Sequence, residues 1–280
     1  MLTLAKIAVA ADILLTGQAL ACPAARAQSS STVVEIETPL ASPHPLQGYL
    51  RRPSGAGPFA AVVLLHSCNG NWRRIDEDWG KRIAAWGYVA LSVDSFGPRG
   101  IKTSCHDRPS ADFASDPTRA LNFLAGQSSI DPARIAAVGF AWGGFSSLSA
   151  VERVAIQQGT ANKFRAAVAF YPPCVGIKGD MTAPTLILIG ARDDVNSADE
   201  CRKLVSGRDS WGISREANRG IPVRLVVYPD AYHGFDAPDL KTPPEGSQHD
   251  LEFNRAATDQ AAQELHAFLD ATIGEEARTK

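Results

Sequence analysis

The sequence has no tract rich in lysine and arginine, and 28 basic against 30 acidic side chains leave a formal charge of −2. That balance gives nucleic acid or an anionic membrane nothing to attract. Neither G-x-G-x-x-G nor a Walker sequence is present, which removes the usual phosphate-cradling loops. There is no C-x-x-C and no paired-histidine spacing, so the common patterns of a zinc or dithiol site are missing. No apolar run is long and unbroken enough for a stable transmembrane helix. Internal repeats, coiled-coil heptads and signs of a second domain are also lacking. What is there is a chain of 280 residues, 45% apolar, with ample length for one large core.

The N-terminus reads differently from the rest. Lys6 precedes the mostly small and apolar run Ile7 to Leu20, and Ala25-Arg26-Ala27 fits an A-x-A cleavage site. This predicts a signal peptide over residues 1–27 and a periplasmic or secreted domain over 28–280, with no membrane contact in the mature form. Asp12 interrupts the run; a lipoprotein ending at Cys22 and a plain N-terminal extension are the alternatives. Beyond Cys22 lie Cys68, Cys105, Cys174 and Cys201, an even number that suggests disulfides in an exported chain. Of three pairings, Cys68 with Cys105 and Cys174 with Cys201 are favoured, because each pair follows neighbouring expected strands. The alternative is buried free thiols.

Alternation predicts strands over Thr32–Thr38 and Leu46–Arg52. Continuous apolar runs predict buried strands at Phe59–Leu65, Tyr88–Val93, Arg134–Val138, Arg165–Phe170, Thr185–Ile189 and Val223–Tyr228. Helical periodicity marks Ile75–Trp86, Asp116–Gln127, Ala198–Val205 and Leu251–Ala271, with Asp116 and Pro117 as an N-cap and first-turn pair. Strands alternating with helices imply one α/β domain, a mostly parallel sheet covered on both faces.

The chain is organised around Val138-Gly139-Phe140-Ala141-Trp142-Gly143-Gly144. Strand, tight turn and helix are the setting of a nucleophile elbow, G-x-S-x-G when serine attacks. The residue missing here is the nucleophile: Ala141 occupies its position, and a methyl group cannot attack. Two further loops at strand ends complete a triad in the chain order of α/β-hydrolases. Gly190-Ala191-Arg192-Asp193-Asp194 offers a carboxylate, Asp193 preferred to Asp194, and Tyr232-His233-Gly234-Phe235 offers an imidazole. Backbone N–H groups of Trp142 and of Cys68 or Ser67 would form the oxyanion hole. Arg99 could clamp a substrate carboxylate, and Trp72, Trp142 and Tyr232 could line the pocket. Cys105-His106-Asp107 looks ligand-like but has no partner spacing.

The stretches LLHSCNG, YVALSVDSFGPRG, VGFAWGG, IGARDD and YPDAYHGFD resemble the dienelactone hydrolase family, in exported form. The resemblance implies the α/β-hydrolase fold and hydrolysis of small-molecule esters or lactones, without metal or organic cofactor. By position it assigns the triad to Ala141, Asp193 and His233. Two departures stand out. The family's slot holds cysteine or serine, and its best-known members carry a glutamate near the oxyanion loop, which here reads His66-Ser67-Cys68. Serine is therefore the expected parent residue. The alanine reads as an inactivating substitution, engineered in the favoured reading. The alternative is a natural pseudo-hydrolase that binds a small molecule in the periplasm without turnover.

Overall fold

The computed structural model describes residues 31–37, 46–106, 113–153, 161–207, 220–240, 248–275 and 277. The expected signal peptide, Cys22 and Asp107 lie outside the described residues. Eight strands form one sheet: β1 (Thr32–Ile36), β2 (Leu46–Arg51), β3 (Phe59–Leu65), β4 (Val89–Asp94), β5 (Ile130–Phe140), β6 (Ala166–Phe170), β7 (Thr185–Gly190) and β8 (Val223–Tyr228). Their order is β1-β2-β4-β3-β5-β6-β7-β8. β2 runs antiparallel to β1 and β4, and the remaining pairs are parallel. This is the α/β-hydrolase sheet, with helices supplying the crossovers that parallel strands require.

The burial of each strand follows its composition. β4, β6 and β7 are buried at every residue, as unbroken apolar runs in a sheet covered on both faces must be. β1, with Thr, Val and Glu mixed, is the exposed edge. Helix α1 begins at Trp72–Ile75, passes through a π-turn at Asp76–Gly80 and ends as Lys81–Ala85. The later helices are α2 (Asp116–Ala125), α3 (Trp142–Ser149), α4 (Ala198–Val205) and α5 (Arg255–Ile273). The Trp79 ring of α1 packs 4.8 Å, between centroids, from Phe170, which stacks 4.7 Å from Phe140, so an aromatic cluster lies beneath the ends of β5 and β6.

Three boundaries depart from the sequence reading. β5 is eleven residues long because its polar start, Asp131 to Arg134, is recruited by Arg134, which bonds Asp131 and the Pro58 carbonyl. α5 starts four residues late, where the Asn254 side chain accepts the Ala257 N–H at 3.0 Å. Asp116 is not the N-cap of α2. Ser115 holds that position, and the Asp116 carboxylate turns away to meet Arg99.

Both favoured disulfides are formed: Cys68–Cys105 and Cys174–Cys201. The first joins the loops that follow β3 and β4, at the edge where ligands of open α/β sheets bind, and the second ties the loop after β6 to helix α4. No helix among the described residues is long and apolar enough to cross a membrane.

Candidate active site

At the end of β5 the chain turns through Ala141, with φ 50° and ψ −111°, and enters α3 at once. This is a region L-residues avoid, and strain of this kind typically costs about 1–3 kcal/mol. Bonds on both sides fix it: the Ala141 N–H donates to Phe170 at 2.9 Å, and its carbonyl accepts the Phe145 N–H at 3.0 Å. The flanking glycines are steric necessities. A Cβ at residue 139 would overlap the Gly143 carbonyl, and one at residue 143 would overlap the Leu65 carbonyl. Ala141 is only 5% exposed, so its methyl lies shielded from bulk water at the floor of the turn.

Asp193 and His233 meet across the ends of β7 and β8. His233 Nδ1 lies 2.9 Å from Asp193 Oδ2, and the carboxylate has no exposed surface. Asp193 Oδ1 accepts the N–H groups of Val195 at 3.0 Å and Asn196 at 2.7 Å. The other carboxylate oxygen can accept the imidazole Nδ1–H. Nε2 is then left as the unprotonated nitrogen. Asp194 faces outward instead, accepting the Asp250 N–H near His249.

A second buried network supports the histidine loop, and the sequence reading did not anticipate it. Asp236, three residues past His233, accepts from Trp79 Nε1 at 2.7 Å, from Arg74 at 3.2 Å and from the Tyr171 hydroxyl at 2.6 Å. The Tyr171 ring lies edge-on to the His233 ring, 4.6 Å between centroids. Tyr171 is itself at positive φ, 39°, and its carbonyl accepts the Asn196 side-chain amide at 2.8 Å. Burial, followed by the Asp236 charge, pushes the Tyr171 hydroxyl well above its ordinary range, so it keeps the proton it donates to Asp236. Asp236 stands between Phe235 and Ala237, with Asp230 and Asp239 in the same loop, so nothing in the local pattern singles it out.

On the other side of the turn lies the loop after β3. Here the three expected oxyanion donors separate. The Ser67 N–H is already given to the Asn71 side chain at 3.2 Å. Cys68 is held from behind, its carbonyl accepting the Ser104 N–H at 2.7 Å and the Thr103 hydroxyl at 3.2 Å. Trp142 opens α3, where backbone N–H groups have no helical acceptor. Cys68 and Trp142 are thus the pair left with amides to offer. His66 is buried between them, its Nδ1 2.7 Å from the Ser67 carbonyl and its Nε2 accepting the Ser95 N–H at 3.1 Å. Burial lowers its pKa, so it stays neutral as a wall residue.

The expected substrate-binding side chains take other partners. Arg99 forks onto Asp116 at 2.6 and 2.7 Å and also bonds the Ser95 carbonyl, with both side chains almost wholly buried. Its guanidinium is a structural clamp of the chain on itself. Trp72 stacks on Tyr49 at 3.6 Å between ring centroids, and Tyr232 sits beside Arg192. Trp142, 52% exposed, does line a cavity of about 100 Å³ together with Cys68, Phe96 and Phe113. Cys105 is bonded to Cys68 and is not a thiolate ligand.

The model of the dienelactone hydrolase family matches residues 46–273. A provisional carboxymethylenebutenolidase of Methylorubrum extorquens is 27% identical over 269 residues, covering 84% of this chain and 85% of its own. Among solved structures, a dienelactone hydrolase-like promiscuous phosphotriesterase from metagenomic libraries superposes with a TM-score of 0.65 at 17% identity, covering 88% of this chain and 100% of its own. Native Thermogutta terrifontis esterase 2 gives 0.61 at 17% identity, covering 89% and 94%. At those identities the structural matches speak for the fold alone.

Proposed function

From the premise that the chain belongs to the dienelactone hydrolase family, we propose that its site is a nucleophile-His-Asp triad for carboxylic ester or lactone hydrolysis, with Ala141 standing in the nucleophile's position. The observation that carries this reading is the Asp193–His233 bond, together with a positive-φ corner at the end of β5 that bonds to Phe170, whose neighbour Tyr171 touches the His233 ring. Such strain persists mainly where a reaction uses it.

The roles follow from the geometry. Asp193, held by two backbone donors, fixes the imidazole with Nδ1–H toward itself and stabilises the imidazolium. Nε2 is free to take the proton of a hydroxyl at position 141. That oxygen would attack the ester carbonyl, and the developing oxyanion would take the N–H groups of Trp142 and Cys68. His233 would return its proton to the leaving alcohol, and water would repeat the sequence on the acyl-enzyme. The parent nucleophile is serine: His66, not a glutamate, stands where a thiolate would need management. No metal or organic cofactor enters this scheme.

With alanine the first step has no attacking atom, so the chain as written is nearly inactive, whether by design or by recent loss. Retention of Asp193 and His233 with their partners favours deliberate substitution. The two disulfides support the export signal at residues 1–27, since such bonds persist in oxidising compartments. The test is Ala141→Ser assayed on p-nitrophenyl esters. Activity is expected to appear, and a folded serine variant silent on esters and lactones would reject the triad.

A further inference from the structure

Asp193 holds the His233 imidazole at one atom, Nδ1. A ring tied at a single atom can still swing about that bond, and a swing changes where Nε2 points. A base that must be aimed needs a second contact. The ring of Tyr171 supplies one: it meets the imidazole at 62°, with 4.6 Å between centroids.

Tyr171 is itself held at both ends. Its N–H donates to the Leu188 carbonyl at 2.7 Å, and its carbonyl accepts the Asn196 side-chain amide at 2.8 Å. These bonds over-determine a backbone at φ 39°, a region that a bulky aromatic residue rarely enters. The far end of the ring is pinned by its hydroxyl, which donates to Asp236 Oδ1 at 2.6 Å. Asp236 Oδ2 accepts from Trp79 and Arg74, and this carboxylate has no exposed surface. Those two donors stand five positions apart in the chain. In a regular α-helix they would point about 140° apart around the axis. The π-turn at Asp76–Gly80, with bonding between residues i and i+5, lets both reach one oxygen. The irregularity in α1 thus converges on Asp236, and Asp236 on the tip of the tyrosine.

Residues 170 and 171 also reach all three loops of the proposed triad. The Phe170 carbonyl accepts the Ala141 N–H at 2.9 Å. Asn196, bonded to the Tyr171 carbonyl, gives its own N–H to Asp193 Oδ1 at 2.7 Å. The tyrosine ring packs against His233. We infer that Tyr171, anchored at its tip by Asp236, is a positioning residue for His233: Asp193 sets the tautomer, and Tyr171 sets the plane of the ring. The inference rests on the triad reading for what His233 does, and on these contacts for what holds it.

Two measurements test it. In the Ala141→Ser protein, Tyr171→Phe keeps the ring and deletes its anchor, and Tyr171→Leu deletes the ring. For p-nitrophenyl acetate, kcat is expected to fall about tenfold in the first and about a hundredfold in the second, with KM within about twofold, because a poorly aimed base slows the step without weakening binding. With Asp193→Asn also present, Tyr171→Phe is expected to cost less than about twofold more, since the imidazole is already misdirected. Where Tyr171→Leu fails to fold, Tyr171→Phe alone decides. An unchanged kcat, a loss confined to KM, or equal losses with and without the Asp193 carboxylate would overturn the inference. The second measurement needs no turnover. In the chain with Ala141, the His233 Nδ1–H proton resonance, identified by its loss in His233→Gln, is expected to be sharp. In Tyr171→Phe it is expected to broaden through exchange with water, at a temperature where the variant is fully folded. A resonance already broad in the parent, or equally sharp in the variant, would overturn the inference. Should the serine variant be silent on every ester while the resonance broadens in Tyr171→Phe, the triad reading fails and the hold of Tyr171 on the imidazole stands.

Discussion

The loops after β7 and β8 hold their residues with buried, hydrogen-bonded charge. The loop after β3 holds its own with a disulfide and backbone contacts. On the first side, Asp193, His233, Tyr171, Asp236, Arg74 and Trp79 form two linked clusters in which the carboxylates have their donors in place. On the second, Cys68 is fixed through its bond to Cys105 and through its carbonyl. In the proposed triad the first construction would set the tautomer of a proton carrier, which demands several oriented dipoles. The second would set the position of a single amide, for which stiffness suffices.

Five experiments would break or sharpen that contrast. Ala141→Ser carries the largest expected effect. By analogy with the loss seen when a serine nucleophile is removed elsewhere, the gain in ester kcat is expected to approach about a millionfold, read by initial rates against the parent chain. Adding Asp193→Asn to the serine protein is expected to lower kcat by about ten-thousandfold with little change in fold, because the imidazole loses its tautomer. A much smaller loss would mean the acid side is not what prepares His233.

Stability measurements come next. Asp236→Ala removes the acceptor of three donors and leaves the half-buried Arg74 with only Asp78, 3.6 Å away, so urea unfolding is expected to show a loss of about 3 kcal/mol. Burial works against that guanidinium's charge, yet Asp236, with Tyr171 and Asp78, outweighs it and raises its pKa. Ala141→Gly is expected to do the opposite and stabilise the chain by about 1–3 kcal/mol, by relieving the positive φ. The smallest effect concerns pH. His66 is kept neutral by burial, so its folded pKa lies below its unfolded value near 6.5. As pH falls below about 6.5 the unfolded chain takes up a proton that the folded chain refuses, and stability declines toward the folded pKa. The slope from this group is at most about 1.4 kcal/mol per pH unit, and His66→Gln is expected to flatten it in melts between pH 7 and pH 5.

Much of the fold was legible because its central strands are unbroken apolar runs: Phe59–Leu65 could be bounded by composition alone. Val223–Tyr228, expected as a buried strand, has the expected bounds but carries Arg224 and is only partly buried, because it lies at the sheet's edge. The elbow was legible because glycine at 139 and 143 answers a steric demand that leaves no other residue. The Asp193–His233 pairing could be read from chain order. Arg99 could not, because its meaning depends on Asp116, which local pattern assigns to a helix cap and tertiary contact assigns to an ion pair. The bond from Ser67 to Asn71 likewise removes an oxyanion donor through a side-chain rotamer that no periodicity encodes. Asp236 was hidden for a related reason, since its three partners come from α1 and the end of β6, far away in the chain.

The unusual dihedral angles at residue 141 also bear on the history of this gene. A single base separates alanine codons from those of glycine, and also from most of those of serine. Once no hydroxyl needs aiming, drift favours whichever neighbour relaxes the backbone, and that neighbour is glycine. On the proposed reading, alanine in this place marks a sequence that has not drifted that way, so the corner would keep time and date the loss of a hydroxyl as recent, or as chosen.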